Sequence, residues 1–249
     1  VLDGRVAATP LEAALVTLAR KSCEAPARLE PADLEPVRAL VGDGALDYAL
    51  VLAAFHFINR MADLLQVDPE VPGMGTFRRV EVLRRGMVRL MAVLIGRMDL
   101  GVRRYGRTVD AATALLPPRI DRAALAPLRA RPHVIEAIAL ALDEQETRTS
   151  LDRATLARVR ATVEAALPAS VDDVRGFHPR PPDPIEAFAF VGTRYAERTT
   201  GKMIQALRTQ GLDDLRILDL AIAVADANQW ARLRRLVGLP PGLFTPSPQ

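Results

Sequence analysis

Leu46-Asp47-Tyr48-Ala49-Leu50-Val51-Leu52-Ala53-Ala54-Phe55-His56-Phe57-Ile58-Asn59-Arg60-Met61-Ala62-Asp63-Leu64-Leu65-Gln66-Val67 is the stretch on which the fold turns. It leaves almost no polar face for three turns, and a helix that is apolar all round is buried all round. Ala49 to Phe55, with Phe57 and Ile58, are therefore expected at the centre of a helical bundle. The exceptions are His56, Asn59, Arg60 and Asp63, which fall at i, i+3, i+4 and i+7 and so share one stripe of that helix. Such a stripe either lines a polar cavity or forms a satisfied internal network.

Outward from this helix the punctuation is that of an all-α chain. Thr9-Pro10-Leu11-Glu12 combines an N-cap hydroxyl, a proline at the first helical position and a glutamate at the third, opening a helix to about Cys23. A short helix from about Ala32 to Val41 ends at Gly42-Asp43-Gly44. Pro69, Pro72 and Gly73 break the chain after the central helix. From Phe77 to Leu100, Val80, Leu83, Met87, Leu90, Met91, Leu94 and Met98 fall on one face and Arg78, Arg85 and Arg89 on the other, an amphipathic pattern. Further helices are expected at about Arg122–Ala130, Pro132–Glu146 and Ser150–Leu167, the last capped by Thr149 or Ser150. After a Pro-rich passage, Pro184-Ile185-Glu186 opens another helix and Thr199-Thr200-Gly201 caps the next. Gly211 ends that one, and Asp213 or Asp214 caps a long helix through Val237.

The last helices reproduce the first three in order. Pro10 and Pro184, Glu12 and Glu186, and Arg20 and Arg194 match at one spacing; Gly42 and Gly211, Leu46 and Leu215, Ala54 and Ala223, Asn59 and Asn228, and Leu64 and Leu233 match at another. On this register the second-copy equivalents of His56 and Asp63 are Ala225 and Arg232, so the polar stripe is not duplicated. The expected organisation is a truncated helical repeat over 1–72, connecting amphipathic helices over 73–130, a second, longer unit over 131–238 and a Pro/Gly-rich tail over 239–249.

Phe55-His56-Phe57-Ile58-Asn59-Arg60-Met61-Ala62-Asp63, preceded by a short helix, a glycine turn and Ala45 to Ala54, resembles the C-terminal helices of the carboxymuconolactone decarboxylase and AhpD-like alkylhydroperoxidase superfamily, particularly its peroxidase-related branch. Arg131 to Ala137 and Ser150 to Leu156 are similar to the helices leading into that family's catalytic motif. The resemblance implies an AhpD-like bundle that assembles into homo-oligomers. It also implies a Cys-x-x-Cys preceded by a glutamate and followed by a histidine, where a thiolate attacks peroxide and a second thiol resolves it. That motif is missing. Its expected place, Ala165 to His178, contains Ser170 and Asp173 where thiols would stand, with Arg158 at the position of the glutamate. Thiol peroxidase chemistry is therefore not expected.

Composition narrows the classes further. The 249 residues carry a formal charge of +3, almost wholly arginine against nearly balancing Asp and Glu, which does not read as a nucleic-acid footprint. A single cysteine, Cys23, excludes an intramolecular disulfide and a Cys-rich zinc site, and it reads as an incidental residue at a helix end. His56, His133 and His178 have no ligand spacing, so neither a metal nor another cofactor is expected; His133 and His178 read as solvent-facing. The arginine-rich region Arg78 to Arg107 reads as a solvated face or subunit contact. With no signal peptide and no long apolar run recognised, a cytoplasmic protein without membrane association is expected. Because the chain begins at Val1 rather than Met, what precedes it stays open.

Two functions fit. One is acid–base chemistry on a small organic acid or lactone, with His56 as acid or base, Arg60 as anion clamp, Asn59 as orienting donor and Asp63 as partner to Arg60. The other is a non-catalytic scaffold or protein-interaction role in which duplication stands in for a dimer.

Overall fold

The computed structural model describes residues 7–65, 108–118, 120–147, 149–168 and 182–243. The expected helix at Phe77–Leu100, the region Arg78–Arg107, Ser170, Asp173 and His178 lie outside them.

Helices α1 (Pro10–Glu24), α2 (Glu35–Val41) and α3 (Ala45–Leu64) come first, then α4 (Val109–Thr113), α5 (Pro132–Thr147) and α6 (Arg153–Ala166), and finally α7 (Pro184–Arg194), α8 (Gly201–Thr209) and α9 (Asp214–Val237). Among the described residues there is no strand, and the chain is all-α. Local signals set most boundaries. The Thr9 hydroxyl accepts the Glu12 N–H at 3.1 Å, while the Glu12 carboxylate reaches back one residue further than a simple capping box, to the Ala8 N–H at 2.6 Å. Asp213 caps α9 through the Arg216 N–H at 2.9 Å. Gly238, at φ 73°, closes α9 in the left-handed conformation, with the Leu239 N–H bonded back to the Arg234 carbonyl at 2.9 Å. Helix α6 departs from expectation: its cap is Asp152, whose carboxylate accepts the Thr155 N–H at 2.6 Å, and Ser150 is spent on a distant helix. The stretch expected to be helical at 122–130 is a 3₁₀ turn, Ala123–Leu128, with Pro127 inside it.

The order of helices and first 3₁₀ turn, α1, turn, α2, α3, recurs as α7, turn, α8, α9, and the first set carries further 3₁₀ segments at Pro31–Leu34 and Gly42–Gly44. The backbone between the first two helices recurs in detail. Ala25 (φ −135°, ψ 55°) corresponds to Tyr195 (φ −155°, ψ 61°), Leu29 (φ −66°, ψ 136°) to Thr199 (φ −59°, ψ 134°), and Glu30 (φ −146°, ψ 163°) to Thr200 (φ −125°, ψ 154°), all at one constant spacing.

Helix α3 is not buried all round, contrary to the reading of its composition. Ala45, Leu46, Ala49, Ala53, His56 and Leu64 are buried, but Val51, Phe55, Ile58 and Leu65 are exposed, Phe55 and Ile58 each to 58%. The central element is α9, in which every residue from Ala223 to Leu233 is buried. Its alanines let neighbouring helices approach closely, and Asn228 and Arg232 make their hydrogen bonds within the core rather than to water. The hydropathy pattern ranks α3 first because it counts side-chain preference and not the width of the contact.

Two hydrophobic cores result. The first joins α1, α2, α5 and the N-terminal half of α3 (Leu18, Val37, Ala49, Ala53, Ile138) with the C-terminal end of α9 (Trp230, Leu233, Leu236). The second joins α6, α7 and α8 (Val163, Phe188, Leu207) with the N-terminal half of α9 (Leu220, Val224) and with Leu64 at the C-terminal end of α3. The two long helices therefore run past each other in opposite senses, each serving both cores. Pro31–Leu64, taken as one helical run, is long and apolar enough by length and composition to cross a membrane, a test that the core helix of a soluble protein also passes.

Candidate functional site

Where α3 and α9 cross, four helices contribute buried polar groups that close into a ring. On one side the Ser22 hydroxyl of α1 meets His56 Nε2 of α3 at 2.8 Å. His56 Nδ1 faces Arg60 Nη1 at 3.0 Å, and Arg60 Nη2 donates to the Thr193 carbonyl of α7 at 2.9 Å. On the other side Asn228 Nδ2 of α9 donates to the Thr193 hydroxyl at 3.2 Å. Arg232 Nη1 donates to Asn228 Oδ1 at 2.9 Å, and Arg232 Nε donates to the Ser22 carbonyl at 3.1 Å, which completes the circuit. The halves correspond group by group: hydroxyl, planar acceptor, arginine one turn on, then the opposite hydroxyl residue's carbonyl.

Serine and threonine stand at the same station because each hydroxyl first satisfies its own helix. Ser22 Oγ donates to the Ala19 carbonyl and Thr193 Oγ1 to the Ala189 carbonyl, both at 2.8 Å. With its proton spent there, Ser22 Oγ can only accept from His56, so Nε2 carries the imidazole proton. Nδ1 then presents the lone pair that Arg60 requires. Neutral His56 thus plays the part that the Asn228 amide plays opposite it.

The chemistry available follows from that tautomer. Burial, then the charges of Arg232 and Arg60, push the His56 pKa down to about 2. A histidine that is neutral throughout the ordinary pH range, with both ring nitrogens engaged, is not poised as a general acid or base. Nor is Ser22 activated, since its hydroxyl proton does not point at His56.

The four residues of the expected stripe separate. His56 and Arg60 enter the ring; Asn59 and Asp63 are exposed, and the Arg60 guanidinium turns to His56 and Thr193 rather than to Asp63. By their hydrogen bonds the polar residues of the two long helices correspond three residues away from the register read in sequence: Asn228 plays the part of His56 rather than of Asn59, and Arg232 that of Arg60 rather than of Asp63. Only that pair of the stripe has counterparts there, since Asn59 and Asp63 fall on Ala231 and Arg235. At that spacing Asp47 also corresponds to Asp219, Ala49 to Ala221, Ala53 to Ala225 and Leu64 to Leu236. Asp47 holds the start of α5 through a hydrogen bond with His133 Nε2 at 2.6 Å, so His133 is a part-buried, bonded residue and not merely solvent-facing. Asp219 holds the approach to α6 by accepting the Ser150 N–H and hydroxyl, both at 2.6 Å. Sequence reasoning missed Ser22, Thr193 and Arg232; the recurrence of a planar polar residue four before an arginine, His56–Arg60 and Asn228–Arg232, was the signal available.

No family model matches this chain. Neither does any curated protein or solved structure.

Elsewhere, a cavity of about 290 Å³ is lined by Arg160, Glu164, Trp230 and Arg234, and one of about 390 Å³ by Asp110, Thr113, Arg122 and Arg129. Neither is lined by His56, Asn59, Arg60 or Asp63. Among the described residues no group of three or more His, Cys, Asp or Glu is placed to hold a metal ion. Arg158 pairs with Asp183 at 3.2 Å.

Proposed function

We propose that this chain is a divergent AhpD-like helical protein, built on a duplicated unit, that works as a scaffold or interaction module, and that the outward face of α3 joins two copies of it. The observation that carries the reading is the exposed stripe Val51, Phe55, Ile58 and Leu65, spaced at i, i+4, i+7 and i+14 along one helix. Single exposed apolar residues are ordinary, but a line of them on one face is a contact surface. A line along one helix is also self-complementary about a two-fold axis, the geometry of the commonest oligomers. The recurring backbone and the two-sided ring support duplication. The single cysteine supports a role without a thiol couple. The acid–base reading through His56, Asn59, Arg60 and Asp63 has less support, since its acid or base has no free nitrogen and two of its members stand apart.

Light scattering after size exclusion tests the reading with wild type and Phe55→Asp/Ile58→Asp. Wild type is expected to run as a dimer or larger and the variant as a monomer with unchanged helical circular dichroism. A monomeric wild type at every concentration, an oligomer indifferent to both substitutions, or wild type that floats with lipid vesicles through this face would each defeat it.

A further inference from the structure

The ring holds two cations and no anion. Arg232 is 1% exposed, and its three hydrogen bonds all go to neutral acceptors, the Ser22 carbonyl and the carbonyl and side-chain oxygen of Asn228. Arg60 likewise meets only neutral acceptors, the His56 ring and carbonyl and the Thr193 carbonyl. Two buried guanidinium nitrogens are left over, Arg232 Nη2 and Arg60 Nε, neither with a partner. Arg194 adds a third positive charge that acts on both. Charges taken out of water are ordinarily paired, because leaving one uncompensated is among the costliest arrangements in a core. Here the surrounding acids do not supply the pairing. Asp63 and Glu197 are exposed and reach Arg60 only through space, and Glu164 is taken by Arg234 and Arg235 at 3.0 and 2.6 Å.

We propose that a small oxyanion or carboxylate binds beside Cys23 and is shared by the unpartnered nitrogens of Arg60 and Arg232. The location follows from the chain. Arg232 Nε is tied to the carbonyl of Ser22, the residue before Cys23, and Cys23 is exposed, so the ring comes within one residue of the protein surface there. Burial, foremost, and the neighbouring guanidiniums hold the Arg60 pKa down to about 10 and that of Arg232 well below its ordinary value. A negative charge beside them is what both arginines lack. Two N–H donors, one from each guanidinium, suit the separate oxygens of phosphate, sulfate or carboxylate better than a spherical halide.

Inorganic phosphate and acetate are the probes, titrated into the purified full chain at constant ionic strength with chloride as the balancing anion. Thermal melting is expected to rise and saturate, by about 5–10 °C at roughly a hundredfold excess over Kd for a chain of this size. Alkylation of Cys23 by neutral iodoacetamide is expected to slow several-fold along the same titration, a reading that needs no variant. Arg232→Gln is expected to lose both responses. A melting temperature and an alkylation rate indifferent to either anion would overturn the proposal. So would a loss of stability in Cys23→Ser without any response to anions in wild type, because the thiolate itself would then be the counter-ion.

Discussion

His56 shows most directly how neighbours decide what a residue does. In the unfolded chain its imidazole titrates near the ordinary 6.5; in the fold, burial and the charges of Arg232 and Arg60 take it to about 2. Between those values the unfolded chain binds a proton that the folded chain refuses. The stability His56 contributes is therefore whole above pH 6.5 and is lost as pH falls towards 2, by about 1.4 kcal/mol per pH unit. His56→Asn should remove that loss, because an amide can repeat what Asn228 does: Oδ1 accepts from Arg60 and Nδ2 donates to Ser22. It should cost less than about 1.5 kcal/mol at neutral pH, whereas His56→Leu, which strands an Arg60 donor, should cost about 2–4 kcal/mol. Urea midpoints between about pH 6 and pH 4 check this, since carboxylates elsewhere contribute equally to wild type and variant and only the difference in slope is read. Parallel pH profiles for wild type and His56→Asn would contradict the assignment.

Among the helices, what was legible in sequence was what is decided locally. Thr9, Asp213 and Gly238 set helix ends through groups within a turn of themselves, and a reader of the chain finds them. The cap of α6 was misplaced at Thr149 or Ser150 because the Ser150 hydroxyl bonds Asp219, 69 residues on. The ring was half legible for the same reason: His56 and Arg60 share a stripe, but their partners lie 34 and 133 residues away, and Arg232 reaches back 210 residues to Ser22. Nor does composition reveal that α7 fits against both long helices through a missing side chain. A Cβ at Gly192 would stand 2.8 Å from Val224 Cγ1 and 2.9 Å from Leu64 Cδ2, closer than real atoms approach. Alanine favours a helix over glycine by about 1 kcal/mol, yet overpacking costs about 1–3 kcal/mol, so Gly192→Ala is expected to destabilise. Val224→Ala opens room at the same spot, so the double variant should lose less than the sum of the singles, a coupling read from urea midpoints. Strict additivity would mean that the crowding is relieved elsewhere.

At the scale of the molecule, the described residues form two cores but no independent half, because each long helix gives one end to each core. Leu64 of α3 packs in the second core and Trp230 of α9 in the first, so losing either core strips a face from both helices. The ring ties the same junction, with every element that contributes to it drawn from α1, α3, α7 and α9. Cooperative, all-or-none unfolding follows for the described unit even though its sequence reads as two units laid end to end. The chain's one tryptophan reports on the first core as it stands. Phe188→Trp in a Trp230→Phe background moves the reporter to the second, where Phe188 is fully buried. Within each protein, fluorescence and far-ultraviolet circular dichroism should trace one urea transition, and the two proteins should share one slope, since the slope follows the surface exposed when the whole unit opens. If the second-core reporter moved at lower urea while the helical signal persisted, the cores would be separable. The crossing of α3 and α9 would then be a contact between two domains and not the axis of one.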